Sequence, residues 1–84
     1  MYVIMSYISF GILEQQIQVC RIENDSLKVV DFAYATINEL GETFKELSDK
    51  YNTIYIKLPM NPDIEEELVK NYGFKIFKEE QENS

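Results

Sequence analysis

The side chains that perform most nucleophilic and general-base chemistry are scarce in this chain. Its 84 residues contain no histidine and a single cysteine, Cys20. The lack of histidine excludes Ser-His-Asp and Cys-His nucleophiles and metal sites with histidine ligands. A single cysteine cannot form an internal disulfide or a cysteine-cluster zinc site. Cys20 lies in a strand-like segment beside Arg21, so we expect a buried, unreactive thiol rather than a nucleophile.

Carboxylates are the next candidates for chemistry. The run Glu65–Glu67 follows Asp63 closely, but side chains at successive helical positions fan around the helix, whereas hard cations need convergent oxygens. We therefore expect no metal site. The three glutamates form either a solvated helix face or part of a surface that binds a basic partner.

Asp31 and Tyr34 are two further candidates for contact with a partner. Aspartate is disfavoured in strands, so Asp31 lies at an exposed or edge position, or serves as a catalytic base or an interaction point. The chain has six tyrosines, too many to bury with satisfied hydroxyl groups in a small core. An exposed tyrosine such as Tyr34 suits a protein interface.

The charge balance narrows the class of partner. Eight basic and fifteen acidic side chains give a net charge of −7. Nucleic-acid phosphates are held by Lys/Arg clusters, so direct binding to nucleic acid is not expected. An acidic protein instead attracts basic protein surfaces over long range.

Sequence signals for a membrane or for export are lacking. The longest apolar stretch, residues 2–10, is far shorter than the ~20 residues that span a bilayer. It has neither a basic start nor a small-residue cleavage site. We expect a cytoplasmic protein with a reduced cysteine. Frequent Ile, Lys, Asn, Glu and Tyr are typical of an AT-rich genome, such as that of a low-GC bacterium or its phage.

Three strands are predicted in the first half, at residues 2–10, 13–23 and 27–34. The second alternates apolar and polar side chains, which indicates a strand with one wetted face. Its apolar side includes Ile17 and Val19, and its polar side Gln16 and Gln18. The apolar parity of the third strand switches between Val29 and Val30, which predicts a β-bulge.

The second half has a helical period. Thr36 and Glu39 form a capping-box pattern that opens the first helix. Its apolar stripe comprises Ile37, Leu40, Phe44, Leu47 and Tyr51. A fourth strand follows at residues 54–58. A second helix opens at Asn61-Pro62 and ends before Gly73, with Ile64, Leu68 and Tyr72 on its inner face. A short strand at residues 74–78 completes the order.

The order β-β-β-α-β-α-β predicts an α+β (mixed α/β) fold with one twisted, mostly antiparallel sheet and two helices. Residues 1–80 form a single domain, and the polar residues 81–84 are expected to fray.

The C-terminal part carries a run that begins at Asn61 and continues through Leu68 and Val69 to Tyr72-Gly73-Phe74. This run resembles the end of the GNAT superfamily of N-acetyltransferases. Members of that family often end in an Asn-led helix with the pattern Leu-Tyr, three residues, Gly-Phe. The resemblance covers about residues 2–80 and lacks the family's N-terminal strand and two helices. It implies a short GNAT-like fold with degenerate motifs.

The residues that the family uses for chemistry are poorly matched. The loop that holds the acetyl-CoA pyrophosphate would lie at residues 38–43, where Gly41 agrees and Asn38 replaces Gln or Arg. Glu39 and Glu42 would repel phosphate there. Asn38 and Gly41 are therefore weak cofactor-binding candidates. The simpler alternative is that Gly41 is an ordinary helix glycine, tolerated at its position or required for close packing.

The general acid of the family is also poorly matched. The tyrosine that protonates the departing thiolate is replaced by Val69. Tyr72, almost one turn later, is the remaining candidate for the acid. The resemblance therefore implies the fold and disfavours the activity.

Three functional hypotheses remain. The first is a small, acidic, non-enzymatic interaction protein, such as a phage or mobile-element inhibitor that binds a basic, nucleic-acid-binding surface of a host protein and needs no cofactor. The second is a divergent acetyl-CoA-dependent N-acetyltransferase, in which the third and fourth strands splay around the pantetheine arm. The third is a homodimeric structural or regulatory domain, in which a second copy covers an exposed sheet face.

Overall fold

A computed structural model describes residues 1–8, 14–57 and 62–78 of the chain. These residues form five strands and two α-helices in the predicted order, which confirms the α+β fold. The strands are β1 (Tyr2–Ile8), β2 (Glu14–Glu23), β3 (Ser26–Thr36), β4 (Tyr55–Ile56) and β5 (Lys75–Ile76). The helices are α1 (Leu40–Tyr51), preceded by a 3-10 turn at Ile37–Glu39, and α2 (Pro62–Tyr72). The predicted tail at 81–84, the helix start at Asn61 and the strand ends predicted within 9–13 and 58–61 lie outside the described residues.

The strands form one mixed sheet in the order β3-β2-β1-β4-β5. The first three make the predicted antiparallel meander, whereas β4 is parallel to β1 and β5 is parallel to β4. Only β2 therefore runs opposite to the other described strands. Parallel neighbours need a crossover connection, and α1 carries the chain from β3, past β2 and β1, to β4.

Both helices pack on the same face of this sheet. The crossovers from β3 to β4 and from β4 to β5 step across the sheet in the same direction, so a common right hand places both helices on one side. The main core lies between them and the sheet. Its buried members are Ile4, Ile17, Val19, Ala35, Leu40, Phe44, Leu47, Ile56, Ile64, Leu68 and Phe74.

The predicted bulge in β3 is present. Val19 pairs with Asp31 and Cys20 pairs with Val29, which leaves Val30 without a partner in the ladder. The extra residue restores the alternation of side chains on each side of the bulge. The switch of apolar parity in the sequence had this physical cause.

Helix α1 begins with the predicted cap but differs in its apolar stripe. The Glu39 carboxylate accepts hydrogen bonds from the Thr36 backbone N–H and hydroxyl, at 3.2 and 3.0 Å. Ile37, predicted to face the core, is 61% exposed because the first turn is a 3-10 turn that rotates it away. Asn52 ends α1 in the left-handed conformation, with φ of 52°.

Helix α2 ends, as predicted, just before Gly73, which adopts the left-handed conformation with φ of 75°. The Phe74 N–H then bonds the Leu68 carbonyl at 3.1 Å. No helix within the described parts of the chain is both long enough and apolar enough to span a bilayer.

Candidate functional site

The predicted partner-contacting residues do not share one surface. Glu65, Glu66 and Glu67 lie on α2, on the helix side of the sheet, and Glu66 forms an i,i+4 ion pair with Lys70 at 2.8 Å. Tyr34 lies on the opposite face of the sheet. Its ladder partner is Gln16, which is not a core residue, and ladder partners lie on the same face. The glutamates and Tyr34 therefore cannot contact one flat partner surface together.

Asp31 is a structural carboxylate that joins β3 to the end of α1. It accepts hydrogen bonds from the Tyr51 hydroxyl at 2.5 Å, the Phe32 N–H at 2.8 Å and Lys50 at 3.2 Å. These donors, with Tyr51 contributing most, lower the pKa of Asp31, while the Asp31 carboxylate raises the pKa of Tyr51. A carboxylate with a lowered pKa and three donors is a poor general base.

Gly41 and Tyr72, the weak candidates for cofactor binding and for the general acid in the acetyltransferase hypothesis, are in contact with each other. Gly41 is buried near the start of α1, and a methyl group placed on its Cα would lie 2.5 Å from Cζ and 2.6 Å from Cε2 of the Tyr72 ring. The glycine thus admits the ring, so that the start of α1 and the end of α2 approach closely. This contact agrees with the interpretation of Gly41 as a glycine required for close packing.

The acetyltransferase hypothesis gains no support from the strands either. A pantetheine arm held between the third and fourth strands requires those strands to be neighbours. In this sheet β2 and β1 separate β3 from β4. Asn38 is exposed within the 3-10 turn. Gly41, three residues later in the sequence, is covered by the Tyr72 ring.

The sheet face opposite the helices, called here the open face, carries no helix from the described residues. Its centre is a small apolar cluster of Val3, Met5 and Cys20, packed by the partly buried Ile22, Leu27, Tyr55 and Phe77. Burial raises the pKa of the Cys20 thiol, as expected for an unreactive cysteine. Within the described residues no cluster of His, Cys, Asp or Glu could hold a metal ion.

The β2–β3 end of the open face is aromatic and exposed. Phe32 and Tyr34 are 54% and 62% exposed, and their ladder partners are Gln18 and Gln16. Val29 and Val30, which precede these two aromatic residues in β3, are each 38% exposed. We call Phe32, Tyr34, Gln16 and Gln18 the aromatic patch.

Hydrogen bonds order the aromatic patch internally. The Gln18 amide donates to the Gln16 carbonyl oxygen at 3.2 Å, and the Gln16 amide donates to the Tyr34 hydroxyl oxygen at 3.1 Å. Two carboxylates border the patch beyond Tyr34. Glu14 is the ladder partner of Thr36, and the Glu39 carboxylate accepts the Thr36 hydroxyl hydrogen. The hydrogen bonds from the Thr36 backbone N–H and from its hydroxyl group lower the pKa of Glu39, which keeps its carboxylate charged.

The outer edge of β3 is closed to strand addition at two points. Backbone N–H groups along an antiparallel strand alternate between the ladder and the outer edge. The outward N–H of Phe32 bonds the Asp31 carboxylate, and that of Thr36 bonds the Glu39 carboxylate. Side-chain caps of this kind protect an edge strand against pairing with other chains. Strand addition at this part of the edge is therefore disfavoured.

Comparison with protein-family models, curated proteins and solved structures finds no match for this chain. The interpretation of the site consequently rests on its geometry. Sequence reasoning did not single out Phe32, which shares the parity of Tyr34. Gln16 and Gln18 carried the signal: residues paired with the wetted side of β2 lie on the same wetted face.

Proposed function

We propose that this chain is a small, non-enzymatic interaction protein that binds a partner protein through the aromatic patch of its open face. The observation that carries the proposal is the exposure of Phe32 and Tyr34, at neighbouring positions of one sheet face. Aromatic side chains of this kind are enriched at protein interfaces, where they bury large areas at low cost in conformational entropy.

The charge of the protein supports a basic partner. A net charge of −7 attracts a cationic surface and speeds its association. Two copies of the chain repel each other by the same charge, which disfavours the homodimer as the occupant of the open face. Nucleic-acid-binding proteins expose strongly cationic surfaces, so we propose that the chain covers such a surface on a cytoplasmic protein and competes with nucleic acid for it.

The glutamates of α2 have a different role in this proposal. Glu65, Glu66 and Glu67 lie on the helix side of the sheet. They contribute to the long-range field that orients the approach but do not contact the partner bound at the aromatic patch. No feature of the described residues favours the acetyltransferase alternative.

Site-specific photocrosslinking tests this proposal. A photoreactive p-benzoylphenylalanine replaces Tyr34 in one variant and Val69 in a control variant. Val69 is 37% exposed and lies on α2, on the other side of the molecule. Irradiation in extracts of the cells that produce the protein should give an adduct with one basic protein from position 34 and none from position 69. The adduct should weaken as salt is added, because screening reduces the attraction between exposed charges.

Two results would contradict the proposal. Equal adducts from positions 34 and 69 would show that the open face has no special role. Adducts composed of two copies of the chain would favour the homodimer, and light scattering of the uncrosslinked protein would then report a dimer.

A further inference from the structure

The aromatic patch combines three kinds of group that together recognise one type of cation. Its rings are exposed, its glutamine amides offer carbonyl acceptors, and Glu14 and Glu39 border it with charged carboxylates. Phe32 and Tyr34 are two residues apart on one strand, so their positions are separated by about 7 Å on the same face. The surface therefore offers successive rings along the strand, followed by carboxylates.

The open-face positions in this part of the sheet carry negative charge only, and the Lys50 ammonium beside β3 is paired with Asp31 at 3.2 Å on the helix side. Among the described open-face positions of β2 and β3, Glu14 is the single charged residue. The lysines of the open face, Lys57 and Lys75, lie at β4 and β5, at least three strands from β3. At about 4.8 Å per strand this separation exceeds 14 Å, beyond the Debye length of about 8 Å at physiological salt. The patch therefore attracts a cation with little opposition from these lysines.

The geometry of the groups favours arginine over lysine. A guanidinium group is planar, stacks on aromatic faces and is weakly hydrated, and its fork of N–H donors can bond amide oxygens and carboxylates at the same time. A lysine ammonium group is a compact, strongly hydrated charge that gains less from an aromatic face. Two rings followed by two carboxylates match an extended peptide segment that carries arginine at alternate positions.

We propose that the aromatic patch, bordered by Glu14 and Glu39, is an arginine-recognition surface that binds an arginine-bearing segment of the partner protein. This inference rests on the proposed function and adds the chemistry of the partner. The guanidinium groups stack on Phe32 and Tyr34, and the bordering carboxylates accept hydrogen bonds from their N–H groups.

Peptide titration tests the inference without knowledge of the natural partner. The probes are a short, end-blocked peptide with arginine at alternate positions and serine between them, and the matched peptide with lysine in place of arginine. Calorimetry or fluorescence anisotropy at physiological salt should show that the arginine peptide binds at least about fivefold more tightly, the size expected for stacking on exposed rings.

Matched variants locate the binding site. The double variant Phe32→Ser/Tyr34→Ser should remove the preference for arginine, whereas Val69→Ser should keep it. Glu14→Gln should weaken binding of the arginine peptide more than Glu46→Gln, an equal change of charge at an exposed position of α1. Thermal melts of each variant check that the fold is retained.

Every other outcome overturns the inference. Equal binding of the two peptides, unchanged in Phe32→Ser/Tyr34→Ser, would show attraction by net charge alone. Lack of binding by either peptide at millimolar concentration would remove arginine recognition. Neither result would contradict the proposed function if crosslinking from position 34 still captured a basic protein, so the two proposals fail separately.

Discussion

The contact between Gly41 and Tyr72 predicts that Gly41→Ala changes the free energy of unfolding in opposite directions in the presence and in the absence of the Tyr72 ring. Replacing a helical glycine by alanine normally stabilises a helix by about 0.5–1 kcal/mol. Here the added methyl group would lie 2.5 Å from Cζ of Tyr72, far inside van der Waals contact. The ring must move away for Gly41→Ala to fold.

The cost of moving the ring exceeds the gain in helix propensity. Tyr72 is 36% exposed, so about two thirds of it is removed from water in the folded protein. Full burial of a large apolar side chain is worth about 1.5–3 kcal/mol, so displacement of this ring should cost about 1–2 kcal/mol. With the propensity gain subtracted from this cost at the middle of each range, Gly41→Ala should therefore destabilise the wild type by about 0.75 kcal/mol.

The same substitution should stabilise a protein that lacks the ring. In the Tyr72→Ala background the three atoms nearest to the added methyl group are removed, so Gly41→Ala should raise the free energy of unfolding by about 0.5–1 kcal/mol. Chemical denaturation followed by circular dichroism, on the wild type, both single variants and the double variant, measures the coupling. For a domain of this size a change of 1 kcal/mol moves Tm by about 4–8 °C, which is readily measured.

Two results would refute this reasoning. Gly41→Ala could stabilise both backgrounds equally, which would mean that the ring does not occupy the space beside the glycine. The two substitutions could also be strictly additive, which would mean that the helices do not meet through this pair. Arginine-peptide binding serves as the functional control and should be unchanged in any folded member of the cycle, since both residues lie on the helix side of the sheet.

Three further predictions concern stability. Phe44 is fully buried and meets the Phe74 ring edge to face at 5.9 Å, so Phe44→Ala should cost about 3–5 kcal/mol in denaturant titrations, and a much smaller loss would contradict its central place in the core. Asn52 ends α1 with φ of 52°, so Asn52→Gly should raise Tm by a few degrees, corresponding to about 0.5–1 kcal/mol of relieved strain. The pKa of Asp31 is lowered in the folded protein, so its contribution to stability is present above its unfolded pKa of about 3.9 and is lost as the pH falls through the folded value. Thermal melts should therefore show that Asp31→Asn lowers Tm at neutral pH and flattens its decline in acid, and parallel pH curves for wild type and variant would refute the assignment.

Local signals in the sequence were sufficient where a residue interacts with close neighbours along the chain. The capping pair Thr36 and Glu39 and the C-terminal Gly73 depend on hydrogen bonds and dihedral angles within one turn. The bulge at Val30 depends only on the alternation of side chains along one strand. These features were predicted correctly because no distant residue decides them.

Two side chains do not lie where the helical period predicts, because the local backbone or a neighbouring contact redirects them. Ile37 fits the helical stripe of α1 at a spacing of three residues, but its turn is a 3-10 turn and the side chain is exposed. Tyr72 fits the inner stripe of α2, yet its ring reaches sideways to Gly41 and stays partly in solvent. A period count describes the face of an ideal helix and loses accuracy at helix ends.

The amino-acid sequence alone determined the order of the elements, the exclusion of histidine chemistry and of an internal disulfide, and the net charge of −7. Tertiary structure decided which residues became a surface. The pairing of β4 with β1 and the attachment of Asp31 to Tyr51 join segments far apart in the chain, and the exposure of Phe32 and Tyr34 depends on which face of the sheet the helices cover. Such contacts depend on which strands become neighbours and on which face the helices cover. Both are set by the packing of the whole chain, because local periodicity specifies that a strand has an apolar side but not what covers it.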